Sequence, residues 1–245
     1  MSKDKNTLDD RLNREVLHGK TDVAVQQAES GWTSAAGKIR RQRRAEFLVR
    51  GLPRKARVLE IGTGTGLQTA ALLNAFENVV GIDISPDLLA IAERRAPGGH
   101  YCVMDGHRPD FPDGSFDAIV GVSVLHHLDW DMALENYHRL LRPNGIVRFS
   151  EPNLFNPLVF VIKSIPWIKC KAGDSPDEYA FTRWRIRRSL VRAGFTDIVI
   201  RPFEFLHYAT PERWIPLVLK IENLVSRSPI REIGASLLID ARRPH

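Results

Sequence analysis

Residues 58–66 read Val-Leu-Glu-Ile-Gly-Thr-Gly-Thr-Gly, an apolar run that passes straight into three alternate glycines. No other stretch restricts the fold as much. Aliphatic and β-branched residues bounded by glycine predict a buried strand followed by a tight loop. Glycines at 62, 64 and 66 permit positive φ and expose bare backbone, so a ligand can lie against the loop. A second apolar run, Val79-Val80-Gly81-Ile82, then ends on Asp83. The order is strand, loop, helix, strand, with a lone carboxylate at the tip of the second strand. In a doubly wound sheet an acid at that tip is placed to grip a ribose diol.

The spacing selects among ligands. Gly-x-Gly-x-x-Gly loops seat a pyrophosphate at a helix N-terminus. Here the pattern is Gly-x-Gly-x-Gly, with Glu60 just before it. A carboxylate there suits a cationic ligand better, so a nicotinamide-dependent oxidoreductase fits poorly. S-adenosylmethionine carries a sulfonium, an ammonium, a ribose and an adenine, and no phosphate. The segment resembles motif I of the class I S-adenosylmethionine-dependent methyltransferases. The resemblance continues in order along the chain. Tyr101-Cys102-Val103-Met104-Asp105-Gly106 is similar to the third strand and its adenine-contacting acid. Ser115–Val120 is similar to the fourth strand, followed by Val124-Leu125-His126-His127-Leu128, and Leu140–Ile146 to the turn before the fifth. Together these motifs cover about residues 57–150. The resemblance implies an α/β fold: a Rossmann-like, seven-stranded, mostly parallel sheet with helices on both faces. It also implies an antiparallel last strand between strands five and six, and helical lid insertions.

The same resemblance assigns roles. Asp83, followed by Ile84, would accept hydrogen bonds from both ribose hydroxyls, and Asp105, with Gly106 beside it, would hold the adenine amino group. Glu60 would lie near the methionyl ammonium, with Gly62, Thr63, Gly64 and Gly66 as the floor under the cofactor. Ser123, just past strand four, would offer backbone contacts to the methionyl end. A turn or cap is the plainer reading for Asp105 and Ser123. The general base stays open among His126, His127 and Glu151, all at the ligand edge. Histidine titrates near neutrality and is the usual base. Either histidine can equally be a polar wall of the cofactor pocket, His127 most readily. His207 and Tyr208 would close over a substrate or lie on a surface turn.

The 245 residues are expected to form a single methyltransferase domain, with an N-terminal helical segment (1–55), a cofactor-binding core (56–151) and lid insertions (152–182 and 202–233). At 43% hydrophobic and 26% charged the chain is of globular composition. A net charge of +6 permits an anionic partner such as RNA, a membrane surface or a phosphorylated substrate, without demanding one. The polar start Met1–Thr7 has no apolar signal core, and nothing approaches the ~20 apolar residues of a membrane span, which predicts a cytoplasmic protein. Cys102 and Cys170 are too few for a disulfide framework, and Cys102 sits in a strand expected to be buried. No Cys/His cluster has metal spacing, so no metal is expected.

Predicted strands are Arg57–Ile61, Val79–Asp83, Tyr101–Met104, Asp117–Val122, Gly145–Glu151, Thr196–Arg201 and Gly234–Asp240. Predicted helices begin near Leu67, Pro86 and Trp130, and cover about Arg183–Ala193 and Pro211–Ser226. An earlier helix runs from Lys38 and is ended by Pro53; its basic half, Lys38–Arg44, either faces solvent or contacts phosphate. The insertions carry many aromatics: Phe155, Phe160, Trp167, Phe181, Trp184, Phe203, Phe205, Tyr208 and Trp214. These would shelter a hydrophobic or planar substrate, pack the insertions onto the core, or form a homodimer interface. Lys163, Lys169, Lys171, Arg213 and Lys220 flank the apolar lids, which also allows peripheral membrane contact.

The leading functional expectation is methyl transfer from S-adenosylmethionine to a small-molecule acceptor. The acceptor atom would be an oxygen, ahead of nitrogen or carbon, on a hydrophobic natural product, quinone, sugar or lipid intermediate. One alternative is an RNA methyltransferase using Lys38–Arg44 and Arg183–Arg188 as phosphate tracks. The lack of an Asn-Pro-Pro-Tyr-type tetrapeptide after strand four weighs against a nucleic-acid base amine. Another is a methyltransferase-like partner subunit without acceptor chemistry.

Overall fold

The computed structural model describes residues 31–165 and 180–245. Seven strands form one sheet: β1 (Arg57–Ile61), β2 (Asn78–Asp83), β3 (His100–Val103), β4 (Phe116–Val122), β5 (Leu141–Pro152), β6 (Thr196–Phe203) and β7 (Ser236–Arg242), in the order β3-β2-β1-β4-β5-β7-β6. β1 to β5 pair in parallel, and β7 runs antiparallel between β5 and β6. This is the expected Rossmann-like arrangement.

Strand residues alternate between two core layers, as the two-residue period requires. On one face, Val58, Ala118, Val120 and Ile146 pack with Leu48 and Leu72, which come from α1 (Ala35–Val49) and α2 (Thr69–Ala75). On the other, Leu59, Ile119, Val147 and Phe149 pack with Tyr137, Ile186 and Leu190. Between α2 and this second layer in chain order comes α3 (Pro86–Arg95), capped by Ser85, whose hydroxyl accepts from Leu88 N. Tyr137 belongs to α4 (Trp130–Leu140), capped by Asp129 and buried at Trp130, Ala133, Leu134, Tyr137 and Leu140, one helical stripe. After β5 come α5 (Pro157–Ser164), which buries no residue, and α6 (Arg183–Arg192), which supplies Ile186 and Leu190. A 3-10 turn at Glu212–Trp214 leads into α7 (Ile215–Val225). No helix among the described residues is long and apolar enough to cross a membrane.

Four expectations are corrected. α1 ends at Val49, followed by Gly51 at φ +73, so the chain has left the helix before Pro53. β5 begins at Leu141, because Phe116 pairs with Leu141 before the register jumps to Ala118–Ile146; the expected turn is an excursion within the strand, with Asn144 at φ +66. Cys102 is only half-buried, because β3 is the edge strand.

The fourth concerns the basic half of α1: Lys38 stays exposed, but Arg40, Arg43 and Arg44 are taken by carboxylates rather than left for solvent or phosphate. Arg44 is fully buried and forks onto Glu204, with Nη1 3.0 Å from Oε1 and Nη2 2.8 Å from Oε2. Its remaining donors reach Ser150 Oγ at 3.1 Å, Ser236 Oγ at 2.9 Å and Arg40 O at 3.1 Å. Arg40 Nε also binds Glu204, at 2.7 Å, and Arg43 pairs with Glu222 of α7. The expected aromatic lining divides as well. Phe181 is core, edge to face with Trp130 at 4.9 Å, and Phe203 lies under the guanidinium groups of Arg43 and Arg44. Trp167, Lys169, Cys170 and Lys171 lie outside the described residues, as does most of the segment before α1.

Candidate functional site

The glycine loop crosses the carboxyl ends of the central strands. Gly62 N and Thr63 N both donate to Ile82 O, at 2.9 and 3.0 Å, which pins the loop to the end of β2. The three glycines, expected to act alike, divide in role. At Gly64 (φ +54) an added Cβ would meet nothing within 4 Å. At Gly62 it would come within 2.5 Å of Val124 Cγ2, and at Gly66 within 2.8 Å of Ala92 Cα. Gly64 therefore faces open space where a ligand can lie, and the other two let the loop close on its neighbours.

Two carboxylates stand beside this loop. Asp83 Oδ2 accepts from Gly64 N at 2.8 Å and Oδ1 from Ser85 N at 3.0 Å. Ile84 N also donates to this carboxylate, which still keeps lone-pair capacity for a hydroxyl donor. Burial raises the Asp83 pKa, and these amide hydrogen bonds oppose it. Glu60 is buried and accepts from Thr69 Oγ1 at 2.6 Å. Burial pushes its carboxyl up to about 8, and the Asp83 charge adds to the rise although the Thr69 bond opposes it. Near neutral pH a nearby cation favours the ionised form of a carboxyl so raised.

The third carboxylate has a partner that the sequence reading missed. Asp105 Oδ1 accepts from His107 N at 2.9 Å and lies 2.6 Å from His107 Nδ1. Asp129 N donates to His107 Nε2 at 2.9 Å. A backbone N–H can only donate, so Nε2 carries no proton and Nδ1–H points at Asp105. Burial works against ionisation of Asp105, but the two His107 bonds outweigh it and hold the pKa below the usual range. An aspartate two positions before a residue whose N–H it accepts is an Asx turn, the one sequence signal that marks this pair.

Past β4 the backbone turns at Ser123, which adopts φ +54 and donates from its N–H to Ser150 O at 2.8 Å. A left-handed serine is uncommon and marks a position held by its surroundings. Beyond it, Val124 N and Leu125 N donate to Glu151 Oε1 at 3.0 and 2.9 Å. Glu151 Oε2 lies 2.8 Å from His126 Nδ1, and both side chains are buried. Burial raises the Glu151 pKa to about 7, opposed by those amides and by His127. The structure therefore joins two of the three expected base candidates. The third, His127, packs on His126 with ring centroids 4.2 Å apart, and its charge acts on both Asp83 and Glu151. His207 and Tyr208 pack on one another, and Ser34 Oγ donates to Tyr208 O at 2.8 Å, tying them to the segment before α1. Half-buried Ile84 follows Asp83, and the Gly106 carbonyl accepts from Tyr137 Oη at 2.7 Å.

Two carboxylates beside a bare-backbone loop, with a third just past β3, fit a nucleoside that carries positive charge. Thr63 Oγ1 and Gln68 Nε2, on the loop and just beyond it, are buried with no hydrogen-bond partner among the described residues. Residues 59–149 match a family model described as a methyltransferase domain. Over 100 residues the chain is 37% identical to an uncharacterised methyltransferase of Oceanobacillus iheyensis; the alignment takes in 39% of this chain and 46%, about half, of that protein. It is 29% identical over 184 residues to a demethylmenaquinone methyltransferase of Paenarthrobacter aurescens, covering 67% of this chain and 72% of that one. An S-adenosylmethionine-dependent methyltransferase of Thermotoga maritima superposes with a TM-score of 0.65 at 19% identity, over 85% of this chain and 91% of the other, and so shares the fold. With its motifs, strand order and matched core, the chain carries a methyltransferase domain over residues 59–149 and is similar to the S-adenosylmethionine-dependent methyltransferases.

Proposed function

We propose that the protein methylates an oxygen of a small acceptor with apolar bulk, and that the His126–Glu151 pair takes the acceptor's proton. The cofactor supplies a methyl carbon already activated by its sulfonium. Asp83 holds the ribose hydroxyls, and His107 fixes Asp105 so that its second oxygen meets the adenine amino group. Glu60 offers its charge to the cationic methionyl end, Gly64 gives the ligand room, and His127 forms part of the cofactor wall. Glu151, anchored by Val124 N and Leu125 N, orients the imidazole of His126 and stabilises its protonated form, as a carboxylate does in nucleophile–base triads. Residues 56–151 act as the cofactor core of one domain, with 152–182 and 202–233 as lids.

The observation that carries this reading is the 2.8 Å link between His126 and Glu151, placed directly after the strained turn at Ser123. The name of the Paenarthrobacter aurescens relative supports an acceptor with a quinone-like ring. So do the exposed apolar residues Phe155, Leu158 and Phe160 after β5. The RNA reading loses support, because Arg40, Arg43 and Arg44 are taken by Glu204 and Glu222.

The test is transfer of labelled methyl from S-adenosylmethionine to a panel of hydroquinones, phenols and aliphatic alcohols, followed by His126→Asn and Glu151→Gln. Loss of the base should lower kcat by about 10²–10⁴-fold. Affinity for S-adenosylhomocysteine should stay within about twofold. Unchanged kcat in both variants overturns the base assignment.

A further inference from the structure

Beyond β5 a cleft of about 450 Å³ opens between the segment after Asn153, the start of α6 and the 3-10 turn at Pro229–Ile233. Its aromatic wall is Phe155 and Trp184, edge to face at 5.1 Å and roughly half exposed (44% and 53%). Among the described residues, the rest of the lining sets three guanidinium groups, Arg183, Arg227 and Arg231, against one carboxylate, Glu232. Glu232 Oε1 lies 2.9 Å from Arg183 Nη1 and 3.6 Å from Arg231 Nε, so one carboxylate serves two arginines. Arg183 also stacks over the Trp184 ring at 4.6 Å, which holds it beside the wall. Like charges gathered in one cleft repel unless an anion joins them. Guanidinium groups match phosphate and carboxylate geometry through paired hydrogen bonds.

The cleft is tied to the proposed acceptor side. Asn153 Nδ2 donates to Glu232 O at 2.9 Å and to Gly234 O at 2.7 Å. Asn153 follows Glu151 by two residues, about 7 Å along an extended chain.

We propose that this cleft binds an anionic group of the methyl acceptor, a phosphate or carboxylate, with the acceptor's apolar or planar body against Phe155 and Trp184. This rests on the reading above, in which the His126–Glu151 pair serves the acceptor. A soluble phosphoester and a lipid headgroup share this chemistry.

Phenyl phosphate, with phenol as the neutral control, is titrated by calorimetry into the full chain saturated with S-adenosylhomocysteine. Phenyl phosphate should bind at least about tenfold more tightly than phenol, the scale of charge-assisted hydrogen bonds. The double variant Arg227→Gln with Arg231→Gln should weaken it by at least about tenfold, with S-adenosylhomocysteine affinity within twofold as the control for folding. Co-sedimentation with phosphatidylglycerol vesicles, absent with phosphatidylcholine and lost in the double variant, assigns the anion to a lipid headgroup. Phenyl phosphate binding without co-sedimentation assigns it to a soluble acceptor. Equal affinity for phenol and phenyl phosphate, or equal affinity in wild type and double variant, overturns the proposal. Failure of the wild type to bind S-adenosylhomocysteine strikes at the cofactor assignment instead.

Discussion

The two halves of the ligand edge are built by different means. Over β1 to β4 the site is made largely from backbone. Loop amides reach Ile82 O and Asp83, and Glu151 is held by two successive amides after Ser123. Over β5 to β7 it is made from side chains, centred on a buried guanidinium that joins α1 to Glu204, Ser150 and Ser236. The first half can tolerate many side-chain changes but few changes of backbone shape. The second depends on charges whose partners must all be present together.

That contrast is open to test, and the largest effect is expected in the second half. Arg44→Ala leaves Glu204 buried without its fork, which should cost about 3–5 kcal/mol in denaturant unfolding. Arg44→Met combined with Glu204→Leu should recover most of that loss. If the single variant loses under about 1 kcal/mol, the cluster is not what holds this half.

In the first half the effect should fall on ligand affinity rather than on folding. In the proposed role Asp83 accepts from two ribose hydroxyls, and Asp83→Ala would remove both bonds, at about 1.5–3 kcal/mol each. Calorimetry should show S-adenosylhomocysteine binding at least about a hundredfold weaker. A comparable loss of unfolding free energy would blur the distinction between the halves.

A pH series sharpens it further. The Glu60 carboxyl titrates at about 8 in the fold against an ordinary 4.5, so the fold prefers its protonated form. The resulting stability is present at low pH and lost as pH rises from about 4.5 to about 8. Glu151, raised to about 7, works in the same direction. A cationic ligand prefers ionised Glu60, so S-adenosylmethionine affinity should rise with pH, at most about tenfold per unit, and level off near 8. Glu60→Gln should flatten that rise; an equally steep rise in the variant assigns the slope elsewhere.

The smallest effect is expected at His107. His107→Phe frees the Asp105 carboxylate to swing, and removal of one charged hydrogen bond should weaken S-adenosylhomocysteine by about tenfold. His107→Gln, which keeps a donor, should restore part of it.

The same contrast explains what could be read from the chain beforehand. Apart from β5, which begins four residues early, the strands lie within one or two residues of their expected bounds, because apolar runs of β-branched residues and glycine turns are local signals. Asp83 and the loop were legible for the same reason: the Gly64–Asp83 bond spans only 19 positions. Arg44 was not. Its partner Glu204 lies 160 positions away, and the run Lys38–Arg44 seen alone reads as a wet surface. The aromatics of the insertions divide among core, arginine stacking and cleft according to contacts that no spacing encodes. His107 sits between these cases, since its link to Asp105 is local but its second partner, Asp129, is 22 residues on.

The buried guanidinium of Arg44 also sets an order of events during synthesis. Glu204 and Ser236 lie 160 and 192 positions downstream. At translation rates of roughly 5–20 residues per second, α1 leaves the ribosome about 10–40 s before Ser236 is made. For that interval the apolar face of the helix can pack on the core strands through Leu48, but the guanidinium has neither its carboxylate nor its second hydroxyl partner. The helix is seated by its apolar face first and locked by its charge last.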